Sequence, residues 1–237
     1  NSCWTKGRCN QFIENNSVNI NGSGAFRVES GGQLDIKRSH IEGHYAFGSA
    51  VFNISNNGSN LNLESSYVTG NGDDTKPGNG YPIGIYSGSS ARIAYSTIAD
   101  NYVLNNSATI VNNSSHLAIY SSIIHEQSNT MALVNSNVLS SEIDCLIVNN
   151  RGYINDPRTI EADPEFVDRA NNNYHLNAAI SPAVDYCDNS YVQTSLQDTD
   201  REDRGWDDYT VNNLYGPYDV GADESYGNDV IFEDEFE

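Results

Sequence analysis

Four side chains able to do acid–base chemistry, Lys37, His40, Tyr67 and Arg92, fall where strand alternation would bring them onto one surface. A base, a proton donor and two cations are what removal of a proton beside a sugar carboxylate requires. A polysaccharide lyase works this way, the base taking the proton and the cations neutralising the acid. The same alignment sets Asp35 and Glu64 beside them, so that Asp35–Arg92 and Lys37–Glu64 pairs would cancel the charge and leave an ion-paired wall. No lyase or epimerase signature such as DPHE is present. A second set, Asp198, Asp200 and Asp203, spaces carboxylates as a calcium loop begins, although the turn glycine and closing glutamate of such a loop are missing. The alternative for that set is a structural turn. Asp73 and Asp74, in the glycine-rich stretch 71–80, are candidate binding carboxylates, with solvated charge as the plain alternative. Tyr81 and Tyr102, like Tyr45, Tyr86, Tyr95 and Tyr120, would offer rings to a sugar or a partner protein if exposed, and would otherwise pack on strand faces. Calcium is the one cofactor these residues suggest, and none is required. A Gly-x-Ser-x-Gly elbow and phosphate-binding or dinucleotide glycine motifs are absent from the sequence.

Composition narrows the partners. Thirty-two acidic residues against 12 basic ones give a formal charge of −20, which excludes the usual nucleic-acid binder. No apolar run is long enough to span a bilayer. The chain opens at Asn1 without methionine, which reads as a processed or trimmed product. Cysteines fall as a close pair, Cys3 and Cys9, and a distant pair, Cys145 and Cys187, without metal-finger spacing; two disulfides and an oxidising, extracytoplasmic setting are expected.

The elements that must position these residues show as a repeat. The pattern apolar-x-apolar-x-x-Ser-x-apolar returns at Leu34–Ile41, Leu61–Val68, Ala91–Ile98 and Leu117–Ile124. Ahead of each copy stands a shorter apolar pair and a polar turn: Phe26/Val28, Phe52/Ile54, Ile83/Ile85 and Thr109/Val111. A fifth, worn copy runs from Ala132/Val134 through Leu139 to Ile147. Short alternating strands returning every 26–30 residues cannot bury their own apolar faces, but stacked coils can. A parallel β-helix is therefore expected over residues 1–150. Leu34, Leu61, Ala91 and Leu117 would form one interior column, Ile36, Leu63, Ile93 and Ile119 the next, and Ser39, Ser66, Ser96 and Ser122 a corner column whose hydroxyls bond the neighbouring rung. Insertions at residues 42–49, 69–81, 99–107 and 125–130 would project from one corner.

After residue 150 the text changes to Asp163-Pro-Glu-Phe-Val-Asp168, Asn173-Tyr-His-Leu176, Ser181-Pro-Ala-Val-Asp185, Asp198-Thr-Asp-Arg-Glu-Asp-Arg204 and Asp219-Val-Gly-Ala-Asp-Glu224. In order and spacing these resemble the closing segment of bacterial surface and secreted right-handed β-helix proteins of the polymorphic-outer-membrane-protein-like, choice-of-anchor type. Arg201, Glu202 and Asp203 stand where that family's turn has Gly-x-Pro, and residues 230–237 are similar to its short IFxDGFE tail. The resemblance implies extracellular or cell-surface display and an all-β, right-handed parallel β-helix whose residues 151–237 form a capping segment and acidic tail of the same domain. Phe166, Tyr174, Leu176, Ile180 and Val184 would be the cap's apolar underside, a Cys145–Cys187 disulfide its pin, and Arg204 the partner of Asp219 or Glu224. Trp206 and Tyr209 would fold back on the coil. The expected role is a non-catalytic structural or adhesive module binding carbohydrate or a surface protein. A polysaccharide lyase and a self-associating filament subunit are the alternatives.

Overall fold

The structure, a computed structural model, describes residues 11–14, 18–19, 25–46, 49–72, 80–103, 108–126, 130–190 and 197–226. Strands β1 (Gln11–Glu14) and β2 (Val18–Asn19) precede a first three-strand rung, β3 (Phe26–Val28), β4 (Gln33–Lys37) and β5 (Ser39–Glu42). After β6 (Tyr45–Ala46) the second rung is β7 (Ser49–Ser55), β8 (Asn60–Glu64) and β9 (Tyr67–Thr69). The third is β10 (Tyr81–Tyr86), β11 (Ser90–Ala94) and β12 (Thr97–Ala99); in the fourth, β13 (Ala108–Asn113) and β14 (His116–His125), and in the fifth, β15 (Met131–Ser136) and β16 (Ser140–Val148), the last two strands are continuous. The rungs pair in parallel, like to like, into a β-solenoid of about four turns with three walls.

The expected columns are in register. Leu34 faces Leu61, Leu61 faces Ala91 and Ala91 faces Leu117, with Ile36, Leu63, Ile93 and Ile119 beside them. All but the half-buried Leu34 are buried. Two details differ from expectation. In the wall of β13 and β15 Ile110 and Leu133, which align with Ile83, are buried, while Val111 and Val134 of the expected pairs Thr109/Val111 and Ala132/Val134 are half-buried. A slip of one residue exchanges the faces of a strand, and the larger Ile and Leu win the inside. In the worn fifth copy Ser141, not Leu139, faces Leu117, and Leu139 is exposed.

Each rung turns sharply between its second and third strands at a residue with left-handed backbone: Arg38, Ser65, Tyr95, Ser121 and Cys145, φ 43 to 64°. The bend interrupts the interstrand ladder, and the next N–H needs another acceptor. The serine column supplies it. Ser39 donates its N–H to Ser66 Oγ, Ser66 to Ser96 Oγ and Ser96 to Ser122 Oγ, at 3.1–3.4 Å, while each hydroxyl donates to the carbonyl two residues back. A second ladder, not anticipated from the sequence, lines the corner after the third strand. Backbone N–H groups of His44, Asn71, Asn101 and Glu126 donate to the side chains of Asn71, Asn101, Glu126 and Asn149 respectively. The available signal was spacing, since Asn71 and Asn101 each stand five residues after a ladder serine.

The C-terminal segment covers the last rung and then runs back along the solenoid. β17 (Ile160–Glu161) pairs with β16, and β18 (Phe166–Asp168) forms a hairpin with β19 (Asn173–Leu176) around a 3-10 turn at Arg169–Asn171. From there the chain crosses the column of left-handed bends. Cys145 is disulfide-bonded to Cys187, Gly221 donates its N–H to Ser121 O, Arg204 lies 4.3 Å from the Tyr95 ring, and Ser65 Oγ donates to Gln197 O. Tyr174, Leu176 and Val184 are buried in this contact and Phe166 half-buried; Ile180 is 60% exposed and takes no part in the underside. Tyr209 is exposed and Trp206 stacks on Tyr226, so of the 205–218 stretch it is Tyr218, tilted on Tyr95, that meets the coil. Arg201, in the loop that follows Asp198, adopts a left-handed backbone with φ +73°.

Candidate functional site

The lateral surface holds the acid–base candidates, and the bend at residues 38, 65 and 95 divides them. Asp35 faces Asn62, Lys37 faces Glu64 and Asn62 faces Arg92 on one wall, while His40 faces Tyr67 on the next. Lys37 Nζ lies 3.2 Å and Arg92 Nη1 3.6 Å from Glu64 Oε2, and Arg92 also donates to Asn62 Oδ1. The expected Lys37–Glu64 pair is present. Arg92 pairs with Glu64 instead of Asp35, because Asp35 is two rungs away and Glu64 one. Both cations therefore converge on one buried carboxylate.

Around the bend, His40 Nε2 meets Thr69 Oγ1 at 2.6 Å, and its ring is tilted on Tyr67. Burial lowers the His40 pKa to about 4, so this imidazole is neutral at ordinary pH. Tyr67 is the larger surprise. Its hydroxyl is fully buried without a hydrogen-bond partner among the described residues. Burial first, and then the charges of Asp223, Asp200 and Asp198, raise its pKa well above 10.0, with Arg204 opposing.

Those aspartates come from the C-terminal segment. His175 Nε2 lies 2.9 Å from Asp200 Oδ2, and one ligand atom from each of His175, Asp200 and Asp223 falls within 4.8 Å of the others. Of the three carboxylates of the expected calcium loop, Asp200 alone joins this group. Asp198 is buried and spends Oδ1 on the N–H groups of Asp200 and Glu202 and Oδ2 on that of Glu224, which shapes the loop. Asp203 sits on a backbone bridge with Gln197. Burial lifts Asp198 to about 6 and Asp223 to about 7, and Asp223 Oδ2 accepts the Leu176 N–H. Arg204, the nearby cation, pairs with Glu224 at 3.5 Å and donates to the carbonyls of Gly221, Ala222 and Asp223, while its buried Nε has no partner among the described residues. That confirms Glu224 as its acid; Asp219 instead accepts the N–H groups of Asp185 and Ser225.

The remaining candidates do not gather. Tyr81 and Tyr86 bond through their hydroxyls at the two ends of β10, and Tyr102 packs its backbone against Gly72. Tyr95 and Tyr120 are buried, so neither offers a ring to a ligand. Asp73, Asp74, Cys3, Cys9 and residues 230–237 lie outside the described residues, as does the side chain of Tyr45.

No family model, curated protein or solved structure matches this chain. The fold and the local chemistry therefore carry the functional argument.

Proposed function

We propose that the chain is a non-catalytic structural or adhesive β-solenoid module that works outside the cell. The observation that carries this reading is the convergence of Lys37 and Arg92 on Glu64, with His40 and Tyr67 turned onto a different wall and Tyr67 packed on Tyr174 of the C-terminal segment. A lyase needs its base and cations around one sugar carboxylate, and here the cations neutralise a protein carboxylate. The Cys145–Cys187 disulfide and the likeness of the closing motifs to those of surface β-helix proteins support extracellular display.

The test is a panel of acidic and neutral polysaccharides, with and without calcium, scored for retention on the immobilised chain and for ultraviolet absorbance of new unsaturated uronate ends. Retention without new absorbance supports an adhesive module, and neither signal supports a structural one. Absorbance that Lys37→Ala or Arg92→Ala abolishes would overturn the reading in favour of a lyase.

A further inference from the structure

We propose that His175, Asp200 and Asp223 bind a divalent transition-metal ion, zinc by preference, which clasps the C-terminal segment beside Tyr67 of the second rung. Hydrogen bonding gives the first reason. Asn173 Oδ1 accepts the His175 backbone N–H at 3.1 Å, which fixes the orientation of that amide, and the same oxygen lies 2.7 Å from His175 Nδ1. Nδ1 must then carry a proton and donate. A neutral imidazole so held points the Nε2 lone pair at Asp200 Oδ2, 2.9 Å away, where two acceptors repel unless a positive charge stands between them. That charge is either a second proton or a metal ion. A histidine whose Nδ1–H is held by an oxygen acceptor while Nε2 faces carboxylates is the arrangement by which proteins orient a metal-binding imidazole.

The surroundings give the second. Tyr67 presents a fully buried hydroxyl that has no hydrogen-bond partner among the described residues, and its ring meets His175 edge-on at 6.4 Å. An orphaned phenol beside two carboxylates and an imidazole supplies a fourth donor. The ligand atoms of His175, Asp200 and Asp223 lie within 4.8 Å of one another, against the roughly 3.3 Å separations of a tetrahedral zinc shell. One nitrogen and three oxygens at four-fold number suit zinc; calcium prefers six to eight oxygens and no imidazole. Three of the four donors lie on the C-terminal segment and Tyr67 on the coil, so an ion here joins the two at the second rung, as the disulfide does at the fifth.

The experiment uses the full chain, stripped with chelator and titrated calorimetrically with zinc chloride and, separately, calcium chloride. One equivalent of zinc should bind, raise the thermal midpoint, and produce a tyrosinate difference band that is missing in Tyr67→Phe. His175→Gln and Asp200→Asn, both at solvent-accessible positions, should each weaken zinc at least tenfold while the apo midpoint holds. Absence of saturable zinc binding, equal affinity in both variants, or calcium binding tighter than zinc would each overturn the site. Zinc binding without the tyrosinate band would overturn the part given to Tyr67.

Discussion

Glu126 is a carboxylate doing the work of an amide, and replacing it tests the corner ladder. In that ladder the Asn71 and Asn101 side chains accept an N–H from the preceding rung and donate Nδ2–H to two carbonyls, Ile41 and Thr69 in one case, Val68 and Ala99 in the other. Rung four reaches this corner one residue early. Ala99 aligns with His125, so Asn101 stands two residues beyond the strand pairing and Glu126 only one, and the extra methylene of glutamate makes up the distance. Its two oxygens accept from Asn101, at 2.5 Å from N and 3.2 Å from Nδ2. Burial raises its pKa from 4.5 to about 8, with the Asn101 bonds opposing.

The sign follows from linkage. The unfolded chain ionises Glu126 above pH 4.5 while the folded chain keeps it neutral to about pH 8, so folding loses stability across that window as pH rises. At about 1.36 kcal/mol per pH unit the loss is roughly 3 kcal/mol at pH 7 and less than about 1 kcal/mol at pH 5. Glu126→Gln keeps the length, offers one oxygen to Asn101 and one amide to the rung carbonyls, and does not titrate. It should therefore stabilise the chain by about 3 kcal/mol at pH 7 and by about 1 kcal/mol or less at pH 5, read as the shift in urea midpoint at each pH. Equal shifts at the two pH values, or destabilisation at pH 7, would refute the reasoning.

Two further outcomes test the docking of the C-terminal segment. At Gly221, φ +111°, an added Cβ would stand 2.7 Å from Ile123 Cδ1 and 2.9 Å from Thr97 Oγ1, so Gly221→Ala should destabilise by about 2–4 kcal/mol in urea and expose the segment to limited proteolysis. Replacing Cys145 and Cys187 together by serine opens a link across 42 residues and should cost about 4 kcal/mol on the chain-entropy argument. The test there is that dithiothreitol lowers the urea midpoint of the parent and leaves that of the variant unchanged.

Six buried acids serve the backbone of the C-terminal segment. Asp156, Asp185, Asp198, Asp219, Asp223 and Glu224 are all buried, and each accepts at least one backbone N–H in the C-terminal segment or the adjoining rung. A segment with few strands leaves its N–H groups without sheet partners, and short acidic side chains satisfy them. Read as charge, these residues suggest a uniformly acidic surface. These six of the 32 acidic residues are instead internal architecture.

The solenoid was legible because its cause is local and repeated. Leu61, Leu63, Ser66 and Val68 carry the same apolar and hydroxyl pattern as Ala91, Ile93, Ser96 and Ile98, and a pattern that recurs at constant spacing can bury itself only by stacking. The pairing of Lys37 with Glu64 followed from that register alone. Sequence periodicity stopped being informative where burial was decided by volume, as when Ile110 and Leu133, and not Val111 and Val134, became the buried positions of their wall. The grouping of His175, Asp200 and Asp223 beside Tyr67 belonged wholly to the tertiary structure. These residues are far apart in the chain and share no period, and their meeting depends on the C-terminal segment following the left-handed bends back from Cys145 to Ser65. Side chains set 27 residues apart in a repeat are placed by arithmetic, whereas side chains brought together by a non-repeating strap are placed by packing, and packing is a property of the whole surface that the strap covers.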